Sequence, residues 1–148
     1  MIPSSDLAPA NCPLAIRRAS GAGVAPNVAK YGTMTVYDWK SVPEEQLNAS
    51  LSRQVFHTEN MTIARLTLRK HAIVPPHSHV NEQVSIVEKG ALKWVLGAEE
   101  RIVRTGEMLQ IPPGVIHSAE ALEDTVAIDL FAPAREDWIR GDDAYLRR

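Results

Sequence analysis

An all-β fold, a sandwich or a barrel, is what this sequence predicts, and three observations carry the prediction. Short runs of β-forming residues fill the chain from Met34 onward. Most breaks between them hold Pro, Gly, Asn or paired charges, and no helical pattern intervenes before the tail.

Residues 1–33 come first and are rich in Ala, Pro, Ser and Gly. Pro3, Pro9, Pro13 and Pro26 are placed so that neither helix nor strand runs far, which makes this stretch an N-terminal arm. Its modest hydrophobicity suits either disorder or a drape over a sheet or a partner subunit. Strands are predicted over 35–37, 51–57, 61–68, 83–88, 91–96, 101–104, 108–111 and 125–131. Residues 134–146 hold the one credible helix, a short C-terminal one. With no internal repeat, a single sheet pair accounts for 34–148 as one domain.

Composition narrows the function. The 148 residues are 45% hydrophobic and 23% charged, as in an ordinary globular domain. Sixteen Lys and Arg face eighteen Asp and Glu without a block of like charge, so neither nucleic acid nor an anionic membrane is an expected partner. Cys12 stands alone and forms no internal disulfide, which fits a reducing cytoplasm. No run approaches the about eighteen apolar residues of a membrane span, and residues 1–10 show no basic start followed by an apolar run, so a soluble, unexported protein is expected. A cytoplasmic location is expected.

Chemistry concentrates at the histidines. His77 and His79 flank Ser78 behind Pro75 and Pro76, and Gln83 follows at the head of an apolar run. In an extended chain His77, His79 and Gln83 share parity and point to one side, while Glu82 points away. A strand bulge of one residue would bring Glu82 in instead of Gln83. His117 follows Pro112, Pro113 and Gly114, a turn able to fold a third imidazole back beside the first two. Three imidazoles and an amide oxygen suit a transition metal and leave positions open for water or substrate.

These residues resemble the two motifs of the cupins. The first matches at His77, His79, Gln83 and Gly90, the second at Gly106, Pro112, Gly114 and His117, and fifteen residues separate Gly90 from Gly106, as in compact bacterial forms. The resemblance implies a cupin fold, the double-stranded β-helix or jelly-roll barrel, over about residues 34–133. It also implies one divalent metal (Zn, Ni, Fe or Mn) on His77, His79, Gln83 and His117. Three departures stand out. His71 occupies the usual place of the first glycine, Ala121 replaces a terminal Asn, and Gln83 replaces an acidic ligand, which removes one negative charge and leaves the metal a stronger Lewis acid. Gly90 is expected to take a positive φ, and Trp94 to belong to the core.

A second constellation lies near the C-terminus. Asp129 sits within an apolar strand, where an unpaired carboxylate costs several kcal/mol, so it needs a partner, a cavity or a metal. Arg135 is the nearest candidate partner. Asp129 and Phe131 share parity, with Val126, Ile128 and Leu130 on the opposite face. Spacing alone allows either a structural Asp129–Arg135 salt bridge or a catalytic pair. The segment 129–137 is similar to the signature of KdgF-type ketonization cupins of pectin and alginate catabolism. In that group the metal site promotes conversion of a 4,5-unsaturated monouronate to its linear keto form. The resemblance assigns catalytic roles to Asp129, Phe131 and Arg135.

The expected function is therefore a metal-dependent lyase or isomerase acting on a small, carboxylated sugar acid. An iron-dependent dioxygenase and a non-catalytic metal- or ligand-binding cupin are the alternatives. Exposed sheet edges and the arm point to a homodimer.

Overall fold

The structure, a computed structural model, describes residues 35–148. The arm expected over 1–33 lies outside the described residues. Ten strands follow in order: β1 (Glu44–Asn48), β2 (Leu51–His57), β3 (Thr62–Leu68), β4 (Ile73–His77) and β5 (Glu82–Lys89), then β6 (Ala91–Leu96), β7 (Glu99–Arg104), β8 (Met108–Ile111), β9 (His117–Ala121) and β10 (Thr125–Ala132). One short helix, α1 (Glu136–Arg140), and a 3-10 turn at Ala144–Arg147 close the chain.

The strands form two antiparallel sheets. One has six strands in the order β1-β2-β3-β10-β5-β8, the other four in the order β4-β9-β6-β7. Their facing sides bury Leu51, Leu66, Leu68, Val87, Leu92 and Trp94, with Ala127 and Phe131 among them. Alternation decides which residues face inward. In β10 Ala127, Asp129 and Phe131 are buried while Val126, Ile128 and Leu130 are half-buried on the other face, as parity predicts. This is the jelly-roll barrel expected of a cupin.

Seven of the eight expected strands form within about a residue or two of their places. Residues 35–37 do not form one: among the described residues no strand pairs with them, and Val36 stands almost fully in solvent. Three strands were not expected, each for a local reason. β1 is polar, Leu47 being its only buried residue, and forms only as an edge against β2. β4 contains Pro75 and Pro76, and its register against β9 is irregular between Val74 and His77. β9 is built of small and charged residues and is held by β4 on one side and β6 on the other. The helix expected over 134–146 is shorter: Gly141, at φ +83°, ends it in a left-handed cap, and the 3-10 turn follows.

Two glycine positions answer the motif. Gly90 has φ +90°, and a Cβ there would lie 2.4 Å from Thr125 Oγ1, so the β5–β6 turn has room for glycine only. His71 keeps the left-handed backbone, φ +69°, without being glycine, and its side chain is exposed near Glu120.

Candidate metal centre and pocket

His77 ends β4 and His117 begins β9, and the two are direct register partners. They belong to the four-stranded sheet. Gln83 is the second residue of β5 in the opposite sheet, where it pairs with Phe131 of β10, and Asp129 pairs with Ser85. Metal-site and pocket residues thus come from both walls of the barrel.

His79 joins them by a different route from the one parity implies. The chain leaves the sheet after His77, and His79 sits in the connection to β5. Its place is set by hydrogen bonds: the Gly114 N–H, from the Pro112–Gly114 turn, donates to the His79 carbonyl at 2.8 Å. Asn81, buried in the same connection, donates from Nδ2 to the carbonyl oxygens of Pro133 at 2.5 Å and Ala134 at 3.3 Å. The loop with His79 is thereby tied to the segment leading to Arg135.

All three imidazoles are oriented in the same way. Nδ1 of His77 donates to the Pro75 carbonyl at 2.8 Å, Nδ1 of His79 to the Asn81 carbonyl at 3.0 Å and Nδ1 of His117 to the Val115 carbonyl at 2.8 Å. Each Nδ1 therefore carries the proton, and each Nε2 is left as a lone pair. One ligand atom from each histidine lies within 4.8 Å of the others. Burial lowers His77 and His79 to about 4, and lowers His117 as well, so the rings are neutral at neutral pH.

Gln83 completes the donor set. Its Nε2 donates to Asp129 Oδ2 at 3.0 Å, which turns Oε1 toward His79 Nε2 at 3.1 Å. With Nδ1 protonated, that contact sets two acceptors face to face, an arrangement a shared cation satisfies. His117 Nε2 is buried without a hydrogen-bond partner among the described residues. Orphaned acceptors, neutral rings and an amide oxygen fit a divalent transition metal. Glu82 is exposed and bonds Gln110, so no bulge brings it inward.

Asp129 and Arg135 line the same cavity but do not form the salt bridge that spacing allowed. Arg135 lies almost wholly buried and sends Nε and Nη2 to Asp137 at 2.9 and 2.6 Å. A carboxylate two residues away, at the start of α1, reaches the guanidinium where Asp129 does not. Arg135 is also held over the rings of Trp138 at 4.3 Å and Phe131 at 4.9 Å, and its Nη1 has no partner among the described residues. Burial pushes the Asp129 carboxyl up to about 7, against opposing pulls from the Ser85 hydroxyl and Arg135. Asp129 Oδ1 and Ser85 Oγ nonetheless make no bond of acceptable geometry. Phe131 meets His79 edge-on at 5.4 Å. Trp94 is core, as expected, yet it also lines this cavity with its indole N–H unpartnered.

Sequence reasoning missed Asn81, Asp137, Trp138 and Tyr145. Asp137 alone had a local signal, its two-residue spacing from Arg135. Tyr145 stacks on His77, with ring centres 4.6 Å apart and planes 29° apart, and its hydroxyl accepts from Arg135 Nη2 at 3.1 Å. Only the fold of the tail brings it there.

The barrel of two antiparallel sheets around three convergent imidazoles gives the chain a cupin fold. Residues 64–131 match the family described as Cupin domain. Among relatives, the chain is 29% identical over 100 residues to the pectin degradation protein KdgF of Dickeya dadantii, a match spanning 66% of this chain and 91% of that protein. The solved structure of KdgF from Halomonas sp. is similar with a TM-score of 0.66 at 27% identity, over 70% of this chain and 99% of that one. An RmlC-like cupin from Shewanella frigidimarina gives 0.66 at 25% identity, over 72% and 96%. Oxalate decarboxylase OxdC of Bacillus subtilis, at 18% identity and a TM-score of 0.62 over 70% of this chain and 31% of that one, shares the fold. No helix among the described residues is long and apolar enough to cross a membrane.

Proposed function

We propose that this cupin is a metal-dependent enzyme that opens and ketonizes a small unsaturated uronate. The observation that carries the reading is the clustering of three Nδ1-anchored imidazoles, of which His77 lines the cavity together with Gln83, Asp129, Phe131 and Arg135. Similarity to KdgF proteins supports the substrate class.

His77, His79, His117 and Gln83 hold the metal, which when bound supplies Lewis acidity toward the substrate's oxygen atoms. Arg135, its Nη1 free, grips the carboxylate and orients the ring. Asp129 takes the proton of the anomeric hydroxyl. The C1 carbonyl forms as the bond from C1 to the ring oxygen breaks, leaving an enolate across C4 and C5. Asp129 then returns the proton to C4, giving the linear keto acid with no net gain or loss of atoms. Phe131 covers the apolar side and excludes water.

The test is elemental analysis of protein purified without added metal, then turnover of 4,5-unsaturated monouronates followed by loss of ultraviolet absorbance with an oxygen electrode running. Metal near one equivalent and absorbance loss without oxygen uptake are expected. Oxygen consumption coupled to turnover would assign a dioxygenase instead, and tight uronate binding without turnover would assign a binding protein.

A further inference from the structure

The cavity between Asp129, Arg135 and His77 is only about 30 Å³, room for roughly two waters and far below what a sugar-acid ring needs. The C-terminal turn fills the difference. Tyr145 is stacked on His77, and its hydroxyl takes the bond from Arg135 Nη2 that the second oxygen of a carboxylate gripped at Nη1 would take. We infer that Tyr145 is an internal stand-in for the ligand, a specificity-determining gate that a carboxylated substrate displaces from Arg135. The uronate identity of that substrate rests on the function proposed above; the competition for Arg135 does not.

The surrounding contacts say what moves. Leu146 is buried in the core, Asn48 Nδ2 donates to the Leu146 carbonyl at 3.1 Å, and Asp143 is buried in an ion pair with Arg53. The backbone of the turn is therefore anchored on both sides of Tyr145. The hydroxyl's other contact, from Trp138 Nε1 at 3.4 Å, is long. Displacement thus consists of the side chain swinging off His77, which trades a hydrogen bond from the Arg135 cation to a neutral hydroxyl for an ion pair between Arg135 and a carboxylate. An anion able to use the guanidinium opens the gate, and a neutral sugar does not.

The test is calorimetric titration of the metal-loaded protein with acetate, D-galacturonate and D-galactose, on wild type, Tyr145→Phe and Tyr145→Phe/Arg135→Lys. Tyr145→Phe keeps the ring and the packing but frees Arg135. Affinity for both anions is expected to rise roughly fivefold, the worth of one hydrogen bond. The rise should be absent when Arg135 is Lys, with galactose unbound throughout. Unchanged or weaker anion binding in Tyr145→Phe overturns the inference, as does a gain that survives Arg135→Lys or anion binding by neither form. The two readings fail separately. Wild type inert toward unsaturated uronates, with the anion gain intact, sinks the proposed reaction alone; uronate turnover without the gain sinks the gate alone.

Discussion

Replacing Arg53 with Met should destabilise the protein far more than removing Arg53 and Asp143 together. Both residues are buried, Arg53 at 5% and Asp143 at 2% exposure, and they form an ion pair between β2 and the C-terminal segment. Breaking a buried pair from one side leaves the other charge uncompensated, at about 3–5 kcal/mol. Arg147 softens this, since its Nε and Nη2 reach Asp143 at 3.3 Å, but it is 39% exposed and well screened. The lower end, about 3 kcal/mol or roughly 10 °C in Tm for a domain of this size, is expected for Arg53→Met. Arg53→Met/Asp143→Leu leaves no buried charge stranded, since the part-exposed Glu45 and Arg147 still pair with each other, and should lie within about 1.5 kcal/mol of wild type. Burial pushes the Asp143 carboxyl up, but Arg53 and Arg147 outweigh it and hold the group below its ordinary 3.8. The unfolded chain therefore binds that proton first as pH falls. The pair's contribution is full above the ordinary value, is lost as pH drops below it, and is missing at all pH values in the double variant. Urea titrations of the three proteins at pH 7 and near pH 3.5 measure all of this. Arg53→Met costing under about 1 kcal/mol, or a double variant as unstable as the single one, would refute the reasoning.

The centre and the turns between strands yield three more expectations. His117→Ala should lose metal steeply and Gln83→Ala partly, while Glu82→Ala keeps wild-type metal content in elemental analysis, because Glu82 faces solvent. Asp129→Asn, nearly isosteric, should fold and bind metal yet lower kcat by roughly 10²- to 10⁴-fold; a variant fully active per folded molecule would remove Asp129 from the mechanism. Gly90→Ala meets backbone atoms of Asp124 and Thr125 at 2.7 and 2.8 Å as well as the Thr125 hydroxyl, so a loss above about 3 kcal/mol is expected by denaturant unfolding. Gly97→Ala, with nothing within 4 Å of its Cβ, should cost about 1 kcal/mol.

Much of the centre was legible because its motifs are local. His77 and His79 stand two apart, Gln83 four further on, and Pro112, Pro113 and Gly114 shortly before His117, and the structure brings all four side chains together. The alternation in β10 likewise sent Asp129 and Phe131 inward together. Expectations failed where pairing partners, not intrinsic preference, make a strand: β4 with its two prolines and β9 with its small residues exist because each is held by neighbours distant in sequence.

What the chain by itself determined is the period-two burial of its strands, the glycine demanded at Gly90 and the set of groups able to ligate a metal, all properties of residues a few positions apart. Tertiary structure alone decided which groups pair across the barrel. Arg135 turned to Asp137 and Tyr145 instead of Asp129, Asn81 tied the loop of His79 to Pro133, and Tyr145 came to lie on His77. The reason is physical: a guanidinium or a ring is placed by the packing of segments that approach only after the sheets close. A hydrogen bond between residues fifty or more positions apart, such as Asn81 to Pro133, leaves no periodic trace in either segment.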